Sequence, residues 1–150
     1  MPRILPGYEA AQLALTPILH DLPPRVVAID GRDGVGKTTL GRYLAWFFNV
    51  SLIETDLFLL RGRGQLDYRY DEVARLINAR LEKPRPVIVE GVAVLQLLMR
   101  INLAPDFLIY VHNPSESGSE GLSDELSEYE SAFAPKAKAN VVIALQHDDS

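Results

Sequence analysis

The 150-residue chain has no cysteine, which excludes disulfides, thiolate catalysis and cysteine-ligated zinc. Its three histidines, His20, His112 and His147, are too scattered for metal-ligand spacing. Cationic residues are the minority, 15 Lys and Arg against 20 Asp and Glu. The formal charge of −5 therefore advertises neither nucleic acid nor an anionic membrane as a partner. No apolar run approaches the length that crosses a bilayer. The N-terminus carries Pro2, Pro6 and Glu9 where a signal peptide has a basic start and an apolar core, so a cytoplasmic location is expected. A hydrophobic content of 47% supports one proper core, and residues 1–150 read as a single domain.

Against these absences stands one strong motif. Gly31-Arg32-Asp33-Gly34-Val35-Gly36-Lys37-Thr38 fits G-x-x-x-x-G-K-[ST], and it follows the apolar run Val26-Val27-Ala28-Ile29. A strand ending in this loop and opening a helix is the setting in which the motif binds phosphate. Its glycines allow successive backbone N–H groups to turn inward around an anion, and the following helix adds its positive end. The nucleotide-binding candidates are therefore Gly31, Arg32, Asp33, Gly34, Val35, Gly36, Lys37, Thr38 and Thr39. Lys37 would reach the terminal phosphates, and Thr38 would offer its hydroxyl to Mg²⁺.

Periodicity places helices over 8–22, 37–49, 70–82, 92–100 and 122–133, and buried strands over 25–30, 50–55, 86–90, 106–112 and 140–145. An N-terminal helical segment, residues 1–24, is stopped by Pro23-Pro24. Residues 61–65 form a polar loop, and residues 113–123 a Ser/Gly/Glu-rich, lid-like loop. This alternation predicts an α/β fold, a three-layer α/β/α arrangement on a five-stranded parallel sheet with right-handed crossovers. Ligands bind such sheets beyond the carboxyl ends of the strands. There the chain places Asp30, Asp56 and Glu90. Glu90, closing Val87-Ile88-Val89-Glu90-Gly91, reads as a metal-assisting carboxylate, with Gly91 letting backbone pass close to phosphate. Asp56 could take the proton of an attacking hydroxyl, with Glu54 as the competing base and helix capping as the plain alternative. Trp46, Phe47 and Phe48 read as core packing. His112, Gln146 and His147 have weaker claims at strand ends.

These stretches resemble the uridine kinase and phosphoribulokinase group of P-loop kinases. The likeness lies in Ile29-Asp30-Gly31 through Leu40, Thr55-Asp56-Leu57-Phe58 and Val87 through Val92. It extends to Tyr68-Arg69-Tyr70-Asp71, to Glu128-Tyr129 through Lys136 and to Ala139 through Ile143. The resemblance implies a P-loop NTPase fold and transfer of the γ-phosphoryl of ATP or GTP, with Mg²⁺, to a hydroxyl of a small metabolite such as a nucleoside like uridine. It implies Lys37, Asp56 and Glu90 as catalytic residues and Thr38 and Glu90 at the metal. Asp56, Asp67, Tyr68 and Arg69 would line the acceptor site.

One departure is large. The group carries an arginine-rich lid after its fourth strand, and this chain has no Lys or Arg from Ile101 to Pro135. Seven acids stand there instead: Asp106, Glu116, Glu120, Asp124, Glu125, Glu128 and Glu130. Lid cations are typically worth 10³–10⁵ in rate, about 4–7 kcal/mol. Three explanations stay open. Arg61, Arg63 or Arg69 replaces the lid, a second subunit of a homo-oligomer supplies an arginine in trans, or the chain is a nucleotide-binding regulatory protein with little kinase activity. An ATPase motor or switch ranks last.

Overall fold

A computed structural model describes residues 6–60, 62, 66–113 and 123–145. Arg61, Arg63, Gln146, His147 and most of the lid-like loop lie outside the described residues. The helices are α1 (Pro6–Leu15), α2 (Lys37–Phe48), α3 (Tyr70–Glu82), α4 (Val94–Arg100), α5 (Ser123–Phe133) and α6 (Pro135–Lys138). The strands are β1 (Val26–Asp30), β2 (Ser51–Glu54), β3 (Val87–Glu90), β4 (Phe107–His112) and β5 (Val141–Ala144). They form one parallel sheet in the order β2-β3-β1-β4-β5, as the alternation predicts.

The period-2 geometry of β1 divides the core. Val27 and Ile29 face one layer, with Leu15 of α1 and Leu40 and Leu44 of α2. Val26 and Ala28 face the other, with Val73 and Ile77 of α3 and Leu97 and Leu98 of α4. Both faces of the central strands are covered, which is why they read as continuous apolar runs.

Three local expectations are corrected. The first helix ends at Leu15, well before residue 22, because Pro17 has no amide hydrogen to donate and disfavours helical geometry at Thr16. The fourth helix opens at Val94, after a left-handed Ala93 at φ 52°, not at residue 92. Trp46 is not core: it is 75% exposed and Phe47 45% exposed, forming an aromatic patch that Tyr43 and Phe48 join to the interior. Among the described residues, no helix is long and apolar enough to cross a membrane.

Gly91 also has a steric role within the fold. A Cβ there would lie 1.8 Å from Thr55 Oγ1, so the glycine lets β3 pass the buried Thr55 side chain. That hydroxyl has no hydrogen-bond partner among the described residues. Gly91→Ala should therefore destabilise the fold by about 1–3 kcal/mol through overpacking. Thr55→Ala, which removes the obstructing atom, should recover most of that loss in urea unfolding. Additive losses in the double variant would contradict this account.

Candidate active site

The carboxyl ends of β1, β2 and β3 converge because parallel register sets Ile29 and Glu54 each opposite Glu90. The loop between β1 and α2 occupies the mouth they form. Gly36, the residue before α2, holds φ 105°, a left-handed turn that glycine accepts without strain. Gly31 approaches β4 so closely that a Cβ would meet the Val111 carbonyl oxygen at 2.4 Å. Val35 is buried and pins the loop, whereas Gly34 is exposed at its tip. Asp33 is half-buried on the same loop. Thr39 is exposed, its side chain hydrogen-bonded to Tyr8.

Lys37 is only 6% exposed, and its Nζ donates to the Arg32 carbonyl at 2.7 Å. Burial lowers its pKa, opposed by the negative charges of Glu90, Asp30, Asp33 and Asp56. Thr38 Oγ1 donates to Glu90 Oε1 at 3.0 Å. Glu90 is 2% exposed, and desolvation raises its pKa; Thr38 and Lys37 pull it down, while Asp56 and Glu54 push it up.

Asp56 stands in the 3₁₀ turn Thr55–Phe58 and is exposed, so it does not cap that turn; Glu54 occupies the cap position without a side-chain bond. Oxygens of Glu54, Asp56 and Glu90 lie within 4.8 Å of one another. Three like-charged carboxylates at this distance repel, and a divalent cation relieves that repulsion. An all-oxygen donor set with the Thr38 hydroxyl alongside suits a hard ion such as Mg²⁺. Glu54 is not turned to solvent. Arg42 of α2 grips both its oxygens, at 2.8 and 3.2 Å. Sequence reasoning missed Arg42, since nothing local links a helix residue to a strand twelve positions on.

The proposed acceptor residues separate. Tyr68 is 4% exposed, its hydroxyl donating to the Val92 carbonyl at 3.3 Å. Asp67 is half-buried and accepts from the Tyr68 amide. Arg69 is exposed, with a 4.0 Å contact to Glu72. His112 ends β4, half-buried.

A second cluster lies on the opposite side of β1 from Asp56. Asp30, 1% exposed, accepts hydrogen bonds from the Gly31 amide at 2.8 Å and from the Tyr129 hydroxyl of α5. The same hydroxyl accepts from the Leu95 amide at 3.1 Å, so Tyr129 ties β1, α4 and α5 together. Arg32 also reaches α5: Nε donates to Glu130 at 2.7 Å and a terminal nitrogen to Ser127 at 3.1 Å. At the helix's other end, Glu125 accepts from the Leu66 amide at 2.7 Å. The acidic helix is thus docked on the phosphate loop.

Desolvation raises the Asp30 pKa from 3.8 to about 6, only partly offset by Tyr129, Gly31 and Lys37. The folded protein holds this proton more tightly than the unfolded chain does. The associated stability is complete below pH 3.8 and is lost as pH rises through about 6. Asp30→Asn should cancel that slope. Between pH 4 and pH 7 the difference in unfolding free energy, wild type minus variant, should fall by roughly 2–3 kcal/mol. Parallel stability curves would show that Asp30 does not titrate this way.

No family model and no curated protein matches the chain. Solved structures do. A candidate uridine kinase from Bacillus stearothermophilus is 16% identical over 91% of this chain and 97% of its own, with a TM-score of 0.64. A candidate kinase of a fructose transport system from Silicibacter is 17% identical over 90% and 98%, at 0.53. Shikimate kinase from Acinetobacter baumannii, solved with shikimate, is 16% identical over 89% of both chains, at 0.51. At such identities the likeness establishes the fold: the chain has the three-layer architecture of P-loop kinases.

Proposed function

We propose that the protein is a Mg²⁺-dependent phosphotransferase that moves the γ-phosphoryl group of ATP or GTP to a hydroxyl of a small metabolite, a nucleoside such as uridine being one candidate. The observation that carries this reading is the meeting of Thr38, Glu90 and Asp56 beside the buried Lys37. A nucleotide-binding loop alone needs no exposed carboxylate in the turn that follows β2.

The acceptor oxygen forms a bond to the γ-phosphorus while the bond to the bridging oxygen breaks, its electron pair leaving on the nucleoside diphosphate. Asp56 takes the hydroxyl proton as that bond forms. Lys37 and the backbone amides of the loop would neutralise charge on the phosphate oxygens. Thr38 and Glu90 would hold Mg²⁺, with Glu54 and Asp56 in reach, and the ion when bound supplies further charge neutralisation. Catalysis here is positioning and electrostatics. Tyr68 would wall the acceptor pocket with its ring, since its hydroxyl is committed to Val92.

A nucleotide-binding regulatory role is the second reading. It is favoured by the arginine-free interval from Ile101 to Pro135 and by the tying of Arg32 to α5. Phosphorus NMR with Mg-ATP and a panel of nucleosides and sugars separates the two. Acceptor-dependent ADP formation supports the kinase; saturable binding without turnover across the panel supports the regulator.

A further inference from the structure

The phosphate loop carries a second long cation besides Lys37, and the fold has parked it on a carboxylate. Arg32 forms the rim of the phosphate cradle, because its own carbonyl is where Lys37 Nζ rests. Its side chain leaves on the β4 side, into a crevice shared with Asp30, Tyr110, Tyr129 and Glu130. That is the side from which a lid would descend, opposite to Asp56, since β4 and β3 flank β1 on its two edges. The Arg32–Glu130 pair is part-exposed, its side chains 22% and 35% accessible, so it can exchange partners.

We infer that Arg32 is the cation that contacts the phosphate tail from the lid side, and that Glu130, with Ser127, holds it in reserve by standing in for phosphate. This rests on the nucleotide-binding reading above. Arg32 gives one nitrogen to a Glu130 oxygen and another to the Ser127 hydroxyl, and two oxygens of a phosphate can take both places on a guanidinium. The arrangement also accounts for an acidic segment where a basic one is expected. Before nucleotide arrives, the positive loop attracts the carboxylates of α5; once the polyphosphate is seated, Arg32 transfers to it. Lid cations then become unnecessary, because the loop brings its own.

The exchange has a signature that a simple structural staple lacks. A staple weakens nucleotide binding from either end when cut. A competitor and its cation give opposite signs. Calorimetry with Mg-ATP should show Arg32→Ala binding about tenfold or more weakly, as for a lost charge-assisted hydrogen bond. Glu130→Gln should bind more tightly, by about threefold, because Arg32 no longer has to leave a carboxylate. Glu130→Gln should have no effect in the Arg32→Ala background. Arg32→Lys, which keeps the charge but loses the fork, should fall between wild type and Arg32→Ala, and melting temperatures should show every variant folded.

Weaker binding by Glu130→Gln, or an Arg32→Ala variant that binds like wild type while Lys37→Ala does not bind, overturns this inference and leaves the nucleotide site standing. Absence of any heat from the wild-type protein overturns both.

Discussion

Lys37→Ala is expected to weaken Mg-nucleotide binding by about 100-fold or more, close to 3 kcal/mol, and to remove any turnover. The ammonium is buried among Glu90, Asp30, Asp33 and Asp56, in a place where burial alone disfavours its charge. A lysine held there against desolvation has its loop carbonyl contact and those four carboxylates to sustain it. An arriving polyphosphate adds the anion for which its single donor group is shaped. Alanine removes this cation and leaves Glu90 and Asp30 without their main positive neighbour. Some loss of stability at neutral pH is therefore expected, and it should be smaller at pH 5, where Asp30, its pKa raised to about 6, is largely protonated. Calorimetry at a temperature where circular dichroism shows the variant folded separates the two effects. A folded variant that binds Mg-ATP within threefold of wild type would remove the nucleotide site from this loop.

What could be read in advance divides by the range of the interaction. The five strands are written in short apolar runs bounded by turn residues, and the phosphate loop in its own local spacing, so both are visible without a partner. The end of α1 at Leu15 was also local, set by Thr16-Pro17, but the apolar residues Ile18, Leu19 and Leu22 continue a helical spacing past it and mask the stop. Trp46 fails for the opposite reason. Its type suggests burial, yet on α2 the faces that meet the sheet are those of Leu40 and Leu44, and Trp46 points off that stripe.

The site shows the same division. Thr38 beside Glu90 follows from strand order and register. Arg42 gripping Glu54, Glu130 gripping Arg32 and Tyr129 gripping Asp30 join residues up to 99 positions apart, which no periodicity reports. Their effect on function is nonetheless direct. With both Glu54 oxygens engaged by a guanidinium, the competing base is tied down and Asp56 stands as the freer of the two carboxylates.

Asp56→Asn should accordingly leave nucleotide affinity within about threefold of wild type and lower kcat by about 10²–10⁴, the usual yield of a positioned general base. The residue is exposed in its 3₁₀ turn, so the isosteric change should alter stability by no more than about 0.5 kcal/mol. Glu54→Gln should cost turnover far less, since its carboxylate serves Arg42. Asp56 also lies within 4.8 Å of Glu54 and Glu90, so a metal-holding role must be told apart from a proton-accepting one. Loss of a base lowers kcat at every Mg²⁺ concentration. Loss of a metal ligand instead raises the Mg²⁺ concentration needed for half-activity and is overcome by adding more. An Asp56→Asn variant restored by excess Mg²⁺ would move Asp56 from base to ligand. One that keeps full turnover under all conditions would remove it from the chemistry, with Glu54→Gln in the same assay showing whether the neighbouring carboxylate had carried the proton.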